Sequence, residues 1–257
     1  MESRTVGFVG GGRVVSILLG GWTRAGALPE GIVVSDQNPD VLARLQRRYP
    51  EVQSADPATA AARGIVFLAV HPPAIKDVLA QVRVGFSGEA VLVSLAPKVT
   101  IAKLSEMLDG FGRLARVIPN AASIVGRGYN PVAFGPGLSP ADREVLQGLL
   151  APLGECPEVE ERHLEAYAIV TAMGPTYFWP QLYELRALAE SFGLPAQQAM
   201  LAIDRMLWGA VATMKDSGLS REEVQDLIPV KPLAEIEPTL IDAYRAKLTG
   251  LMEKLRP

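Results

Sequence analysis

Cysteine is nearly absent from this 257-residue chain: Cys156 stands alone, so no intrachain disulfide can close and no cysteine-rich zinc site can be assembled. Histidine is almost as scarce. Only His71 and His163 occur, too few for a histidine-based metal centre. No apolar run approaches the length of a membrane span, and even IVFLAV at 65–70 is bounded by Arg63 and His71. Neither sign of charge is in excess. A formal net charge of −3 gives no general attraction for nucleic acid or anionic lipid. No internal repeat and no low-complexity segment interrupts the chain. The first apolar run begins a few residues after Met1, which leaves no stretch for a signal peptide, and a cytoplasmic protein is expected. The length suits one large domain or two smaller ones.

What the chain does have is a glycine-rich opening, RTVGFVGGGRVVSILL from Arg4 to Leu19. Val6 to Val9 is a short apolar run that ends in three glycines. Beyond them Val14, Ile17 and Leu18 recur at the spacing of one helix face. Strand, glycine turn and helix in that order present a helix N-terminus to the diphosphate of a dinucleotide. Gly10 and Gly12 match the first two glycines of G-x-G-x-x-G, and Val15 stands where a small third residue is usual. A purely structural glycine turn is the alternative.

The rest of the first half alternates strands and helices. Ile32 to Ser35 reads as a second strand closed by Asp36, and Asn38-Pro39 as N-cap and first helical position. IVFLAV stops at His71-Pro72-Pro73, because proline cannot donate to a sheet ladder. VLVSLA (91–96) is followed by the cap Thr100, Leu114 to Ile118 by Pro119-Asn120, and Ser139-Pro140 opens another helix. Apolar runs of this kind suit a parallel, doubly wound sheet buried on both faces, whose ligands lie beyond the carboxyl ends of the strands. Those ends are Gly10–Gly12, Ser35-Asp36, Val70-His71, Leu95-Ala96 and Pro119-Asn120.

After about Cys156 the apolar spacing is helical to the end of the chain. LEAYAIVTAM leads to Gly174-Pro175, further helices follow to Gly193 and from Pro195, and Ser220 with Glu223 forms a capping box before a last helix from about Glu237 to Leu255. Helices apolar over more than one face need partners, and a small all-α half has little interior to offer. A second subunit is the economical partner. The fold class expected is therefore α/β, with a nucleotide-binding sheet domain over 1–156 and an all-α dimerisation and substrate domain over 157–257.

These blocks resemble those of the Δ1-pyrroline-5-carboxylate reductase family. GFVGGGRV is similar to the family's GFIGAGNM, AVHP to AVKP, VSLAPKVT to VSIAAGVT, RVIPNAASIVGRG to RVMPNTPALVGEG, and LEAYAIVTAMGPTYF to MDAVTALSGSGPAYV. The resemblance implies a Rossmann domain followed by interleaved helices of a homodimer, with hydride passing from NADPH or NADH to a small cyclic imine. By position it places Gly10, Gly12, Arg13 and Val14 against the diphosphate, and Ala69, Val70 and His71 near the adenosine. Leu95, Ala96 and Asn120 fall toward the nicotinamide, and Met173, Gly174, Pro175 and Thr176 face the substrate. Two stretches depart from the pattern: S-G-S-G stands here as Thr171-Ala172-Met173-Gly174, and D-x-V-x-SPGGTT as Asp226 to Glu235, with Pro232-Leu233-Ala234-Glu235 in place of its last residues. A related C=N or C=O substrate accommodates these changes. A non-catalytic dinucleotide sensor or interaction protein on the same fold is the alternative that Val15, Met173 and the missing glycines keep open.

Single residues add detail. Asp36, with Ser35 and Gln37 beside it, lies about 20 residues past the glycines, where an acid binds ribose hydroxyls; as a turn residue before Asn38 it has a simpler role. Gln37 occupies the place of the arginine that often serves NADP, which leans the cofactor toward NAD, although Arg13 offers a cation to phosphate. Asn120 carries both a donor and an acceptor for a carboxamide or substrate. Tyr177 and Lys231 are the side chains available to supply the proton that accompanies hydride transfer, with helix core and a solvated turn as their plainer readings.

Overall fold

The computed structural model of the chain describes residues 5–86 and 88–256. Two compact units are present: one runs through Met173 and takes in the chain again from Met252, the other is Gly174–Leu251.

The first unit is built as β1 (Val6–Val9), α1 (Arg13–Ala25), β2 (Val33–Ser35), α2 (Pro39–Arg48), β3 (Gln53–Ser54), α3 (Pro57–Ala61), β4 (Ile65–Leu68), α4 (Ile75–Val82), β5 (Val91–Ser94), α5 (Ile101–Met107), β6 (Leu114–Val117), β7 (Gly128–Tyr129), β8 (Val132–Phe134), α6 (Pro140–Leu150), β9 (Gly154–Glu155) and α7 (Leu164–Tyr167). Its seven-stranded sheet has the order β3-β2-β1-β4-β5-β6-β8. All neighbours are parallel except β8, which runs antiparallel to β6. The strand order reverses between β1 and β4, the switch point at which doubly wound sheets open a crevice. β7 and β9 form a separate small ribbon.

Alternation along the strands sends apolar side chains to both faces, as expected of a buried parallel sheet. On one face Val6, Phe8, Phe67 and Val93 pack with Val15, Leu18 and Trp22 of α1; on the other Val9, Val66, Leu68 and Leu92 pack with Ile75, Leu79 and Leu104. Phe8 and Phe67 stack with ring centroids 5.0 Å apart, and the buried Trp22 donates its indole N–H to the Leu149 carbonyl at 2.8 Å. Helix starts follow local chemistry. Asn38, Thr100 and Ser139 each accept an N–H of their own first turn, and Gly26 ends α1 in the left-handed region at φ 64°. The sequence reading passed over β3 and α3, although Asp56-Pro57 repeats the same cap-then-proline pattern. The Asp56 carboxylate accepts both Thr59 groups, and those bonds hold its carboxyl below the usual range.

The second unit holds α8 (Pro175–Ser191), α9 (Ala196–Asp216), α10 (Arg221–Asp226) and most of α11 (Glu237–Leu255). α10 starts with the Ser220–Glu223 capping box. Its core is sparse: α8 buries no residue, and α9 buries only Ala199 and Ile203.

Candidate functional site

Sheet register sets the carboxyl ends of five strands in one row. Ser35 pairs with Val9, Val9 with Leu68, Leu68 with Ser94, and Ser94 with Arg116. The ladder continues one step further, since Gly10, Ala69 and Leu95 donate to Ser35, Val9 and Leu68 at 2.7, 2.8 and 3.1 Å. Four strand spacings of about 4.8 Å make a rim roughly 19 Å long. Along it lie Ser35-Asp36-Gln37, Gly10–Val14, Ala69–His71 and Leu95-Ala96, with Asn120 in the turn beyond β6. The residues expected to meet the cofactor are thus brought to one edge of one unit.

The glycines divide their work. Gly10 has φ 101°, and a Cβ there would come within 2.4 Å of the Ala69 carbonyl oxygen, so the chain can leave β1 only with glycine at this point. Gly11 donates its N–H to Asp36 Oδ2 at 2.7 Å, and a Cβ on it would press on Val34, Val41 and Leu45. Gly12 is different. It has φ −68°, and a Cβ on it would meet no protein atom within 4 Å. Folding therefore does not require glycine there; the bare surface beside it suits the close approach of a ligand. Gly12 also caps α1 without a side chain, and the first turn of α1 carries no acid. The unpaired N–H groups of that turn are left to an anion. A dinucleotide diphosphate fits this arrangement. Val15, at the third fingerprint position, is fully buried against the sheet. Close approach by α1 occurs later, at Gly21, where a Cβ would lie 2.3 Å from the Ser123 carbonyl oxygen.

Asp36 has the turn role read from its sequence, and a second tie that the sequence reading did not foresee. Its Oδ1 accepts from Asn38 N–H at 2.8 Å, the turn role, while Oδ2 ties the end of β2 to the glycine loop. Gln37, Arg13 and His71 are exposed, and Val14, Ala69, Val70 and Leu95 are half-buried.

Asn120 has structural partners for both ends of its amide. Oδ1 accepts from Ala122 N–H at 3.1 Å, and Nδ2 donates to the Thr171 carbonyl at 3.3 Å. Residues Ala168–Ala172 form a π-turn closed by Met173 N–H on the Ala168 carbonyl at 3.0 Å. Pro175 has no N–H to return to Thr171, which explains why that carbonyl is free for Asn120. One N–H of the Asn120 amide remains for a ligand. Met173 is half-buried.

A buried cluster that the sequence reading missed supports the same edge. Arg116 of β6 is wholly buried and pairs through Nη1 with Glu161 at 2.9 Å and through Nη2 with Glu165 at 2.5 Å. The two carboxylates also accept the N–H groups of Ile101 and Lys98, at 2.6 and 3.1 Å. They thereby clasp the loop that follows Leu95-Ala96.

In the second unit Gly174, Pro175 and Thr176 open α8, and the half-buried Tyr177 meets Tyr244 edge-on with ring centroids 5.8 Å apart. Burial first, and Tyr244 second, push the Tyr177 hydroxyl above its usual range. Lys231 is exposed and lines a hollow of about 670 Å³ with Met206, Thr213, Leu227, Ile228 and Val230. Cys156 belongs to neither site; burial pushes its thiol up to about 11. Among the described residues no group of three or more His, Cys, Asp and Glu could hold a metal ion, and no helix is long and apolar enough to cross a membrane.

Comparison with known proteins agrees with this geometry. A family model described as NADP oxidoreductase coenzyme F420-dependent matches residues 5–98. The pyrroline-5-carboxylate reductase of Methanosarcina acetivorans is 26% identical over 230 residues, 89% of this chain and 85% of the relative. That of Corynebacterium melassecola is 28% identical over 225 residues, covering 86% and 83%. Among solved structures, pyrroline carboxylate reductase of Plasmodium falciparum with NADP bound superposes with a TM-score of 0.78 at 20% identity, covering 99% of this chain and 96% of that one. Through both the sheet and the helical half the chain is thus similar in sequence to pyrroline-5-carboxylate reductases, and over its first strands to NADP oxidoreductases.

Proposed function

We propose that this reductase transfers hydride from NADPH or NADH to the C=N bond of a small cyclic imine, or to a closely related C=N or C=O group. The observation that carries the reading is the open face of Gly12 at the head of α1, on the strand-end rim beside the switch point. The nicotinamide, when bound, supplies the hydride. The chain holds the diphosphate on the α1 amides, receives the ribose beside Asp36, and offers the remaining Asn120 N–H at the nicotinamide end. Met173, Gly174, Pro175 and Thr176 are proposed to face the substrate. Tyr177 keeps its proton across the neutral range, because its hydroxyl is shifted up, and is the proposed proton donor. Lys231 is proposed to meet an anionic group of the substrate.

The helical unit is proposed to dimerise. Large apolar side chains stand exposed along α8 and α9, and few residues are buried beneath them. Covering each such side chain contributes about 1.5–3 kcal/mol.

The test is to measure NADH and NADPH binding, then nucleotide oxidation with pyrroline-5-carboxylate and with a panel of cyclic imines and ketones. Oxidation that depends on one of these acceptors is expected, with kcat lowered about a hundredfold in Tyr177→Phe while nucleotide affinity holds. Tight binding with no turnover on any of them would instead make the protein a dinucleotide sensor.

A further inference from the structure

The part of the rim over β2 bears on which nucleotide is bound. When a diphosphate lies on the loop after β1, the adenosine ribose reaches the end of β2. In this chain that place is anionic and fixed. The Asp36 carboxylate is held through Oδ2 by Gly11 N–H at 2.7 Å and through Oδ1 by Asn38 N–H at 2.8 Å, so turning it aside breaks both bonds. An ionised carboxylate offers about four lone-pair sites, and two hydrogen bonds leave acceptor capacity for ribose hydroxyls.

The residues that follow carry no cation to offset it. Gln37 and Asn38 are neutral, Pro39 opens α2, and Asp40 adds a second carboxylate in the first turn. The first arginine of α2 is Arg44, beyond that turn. Arg13, the cation next to the glycines, is exposed at the first position of α1, on the side of the diphosphate. A ribose 2′-hydroxyl donates to a carboxylate, whereas a 2′-phosphate brings a charge of about −1.5 to −2.

We propose that the site selects NAD(H) over NADP(H), and that Asp36 is the discriminating residue. The inference rests on the reading above that the glycine loop holds the dinucleotide. It separates this chain from the NADP-bound structure that it resembles in fold.

Fluorescence titration of the full chain with NADH and with NADPH, at about 0.05 M and about 0.5 M salt, tests it. The expected result is a Kd for NADH about tenfold or more below that for NADPH at low salt, with the gap narrowing as salt screens the repulsion. Gln37→Arg places a guanidinium beside Asp36 without removing either of its bonds. It is expected to bring the Kd for NADPH to within about threefold of that for NADH. Asp36→Asn, with folding checked by circular dichroism, should narrow the gap from both sides. Equal or tighter binding of NADPH by the unaltered chain overturns the inference and leaves the proposed function standing. A gap unchanged in folded Asp36→Asn removes Asp36 from the role. Failure of both nucleotides to bind at millimolar concentration overturns the inference and the function together.

Discussion

Adjacent glycines in one loop answer to different physics. Gly10 is held by the backbone: its positive φ and the Ala69 carbonyl leave no room for a Cβ. Gly12 is held by nothing within the protein. Gly10→Ala is therefore expected to destabilise the fold by about 2 kcal/mol or more, since strain at positive φ adds to a steric clash. Gly12→Val should leave the unfolding midpoint within about 0.5 kcal/mol of the parent and abolish measurable nucleotide binding, because the branched side chain fills the space the diphosphate needs. Urea unfolding and nucleotide titration on the same two variants separate the cases. A Gly12→Val protein that binds NADH as well as the parent does would sink the diphosphate assignment.

Elements whose signals are local were legible in the sequence. Asn38-Pro39, Thr100, Ser139-Pro140 and the Ser220–Glu223 box start their helices where the residues say, because a capping side chain reaches only two or three residues along its own chain. The rim was legible for a related reason: once the sheet is parallel, its strand ends must line up. The ties that steady the rim were not. Asp36 and Gly11 are 25 residues apart, and Arg116 lies 45 and 49 residues from Glu161 and Glu165. No periodicity announces a pairing of that separation; a lone arginine within the apolar strand LARV was the one available sign. The cluster makes a prediction at the scale of the element. Glu165→Ala strips a buried guanidinium of one partner and frees the Lys98 N–H, which should cost about 3 kcal/mol. It should also loosen the loop after β5. Faster amide exchange over 96–100 than over β4 is the expected signature, and equal protection in both would show that Glu165 does not hold that loop.

At the scale of the assembled molecule, the apolar excess lies in the helices. α9 leaves Leu201, Trp208 and Val211 at 56%, 71% and 62% exposure, at spacings that place them on one face. Ala199 and Ile203, which it does bury, fall on the opposite face at helical spacing. A face so apolar and so little used within one chain suits an interface between two copies, since contiguous apolar patches of this kind are uncommon on monomers. If the proposed dimer forms there, each copy contributes Trp208, and aromatic residues near an interface centre carry much of its stability. Trp208→Glu removes that contribution twice and buries two like charges. The side chain is mostly exposed in the single chain, so the variant should keep its circular dichroism spectrum and its urea midpoint at low protein concentration. Sedimentation equilibrium should then show the dimer dissociation constant raised at least about a hundredfold, equivalent to about 2.7 kcal/mol. A parent protein that sediments as a monomer at all concentrations, or a Trp208→Glu variant as tightly dimeric as the parent, would show that the copies do not meet on this face of α9.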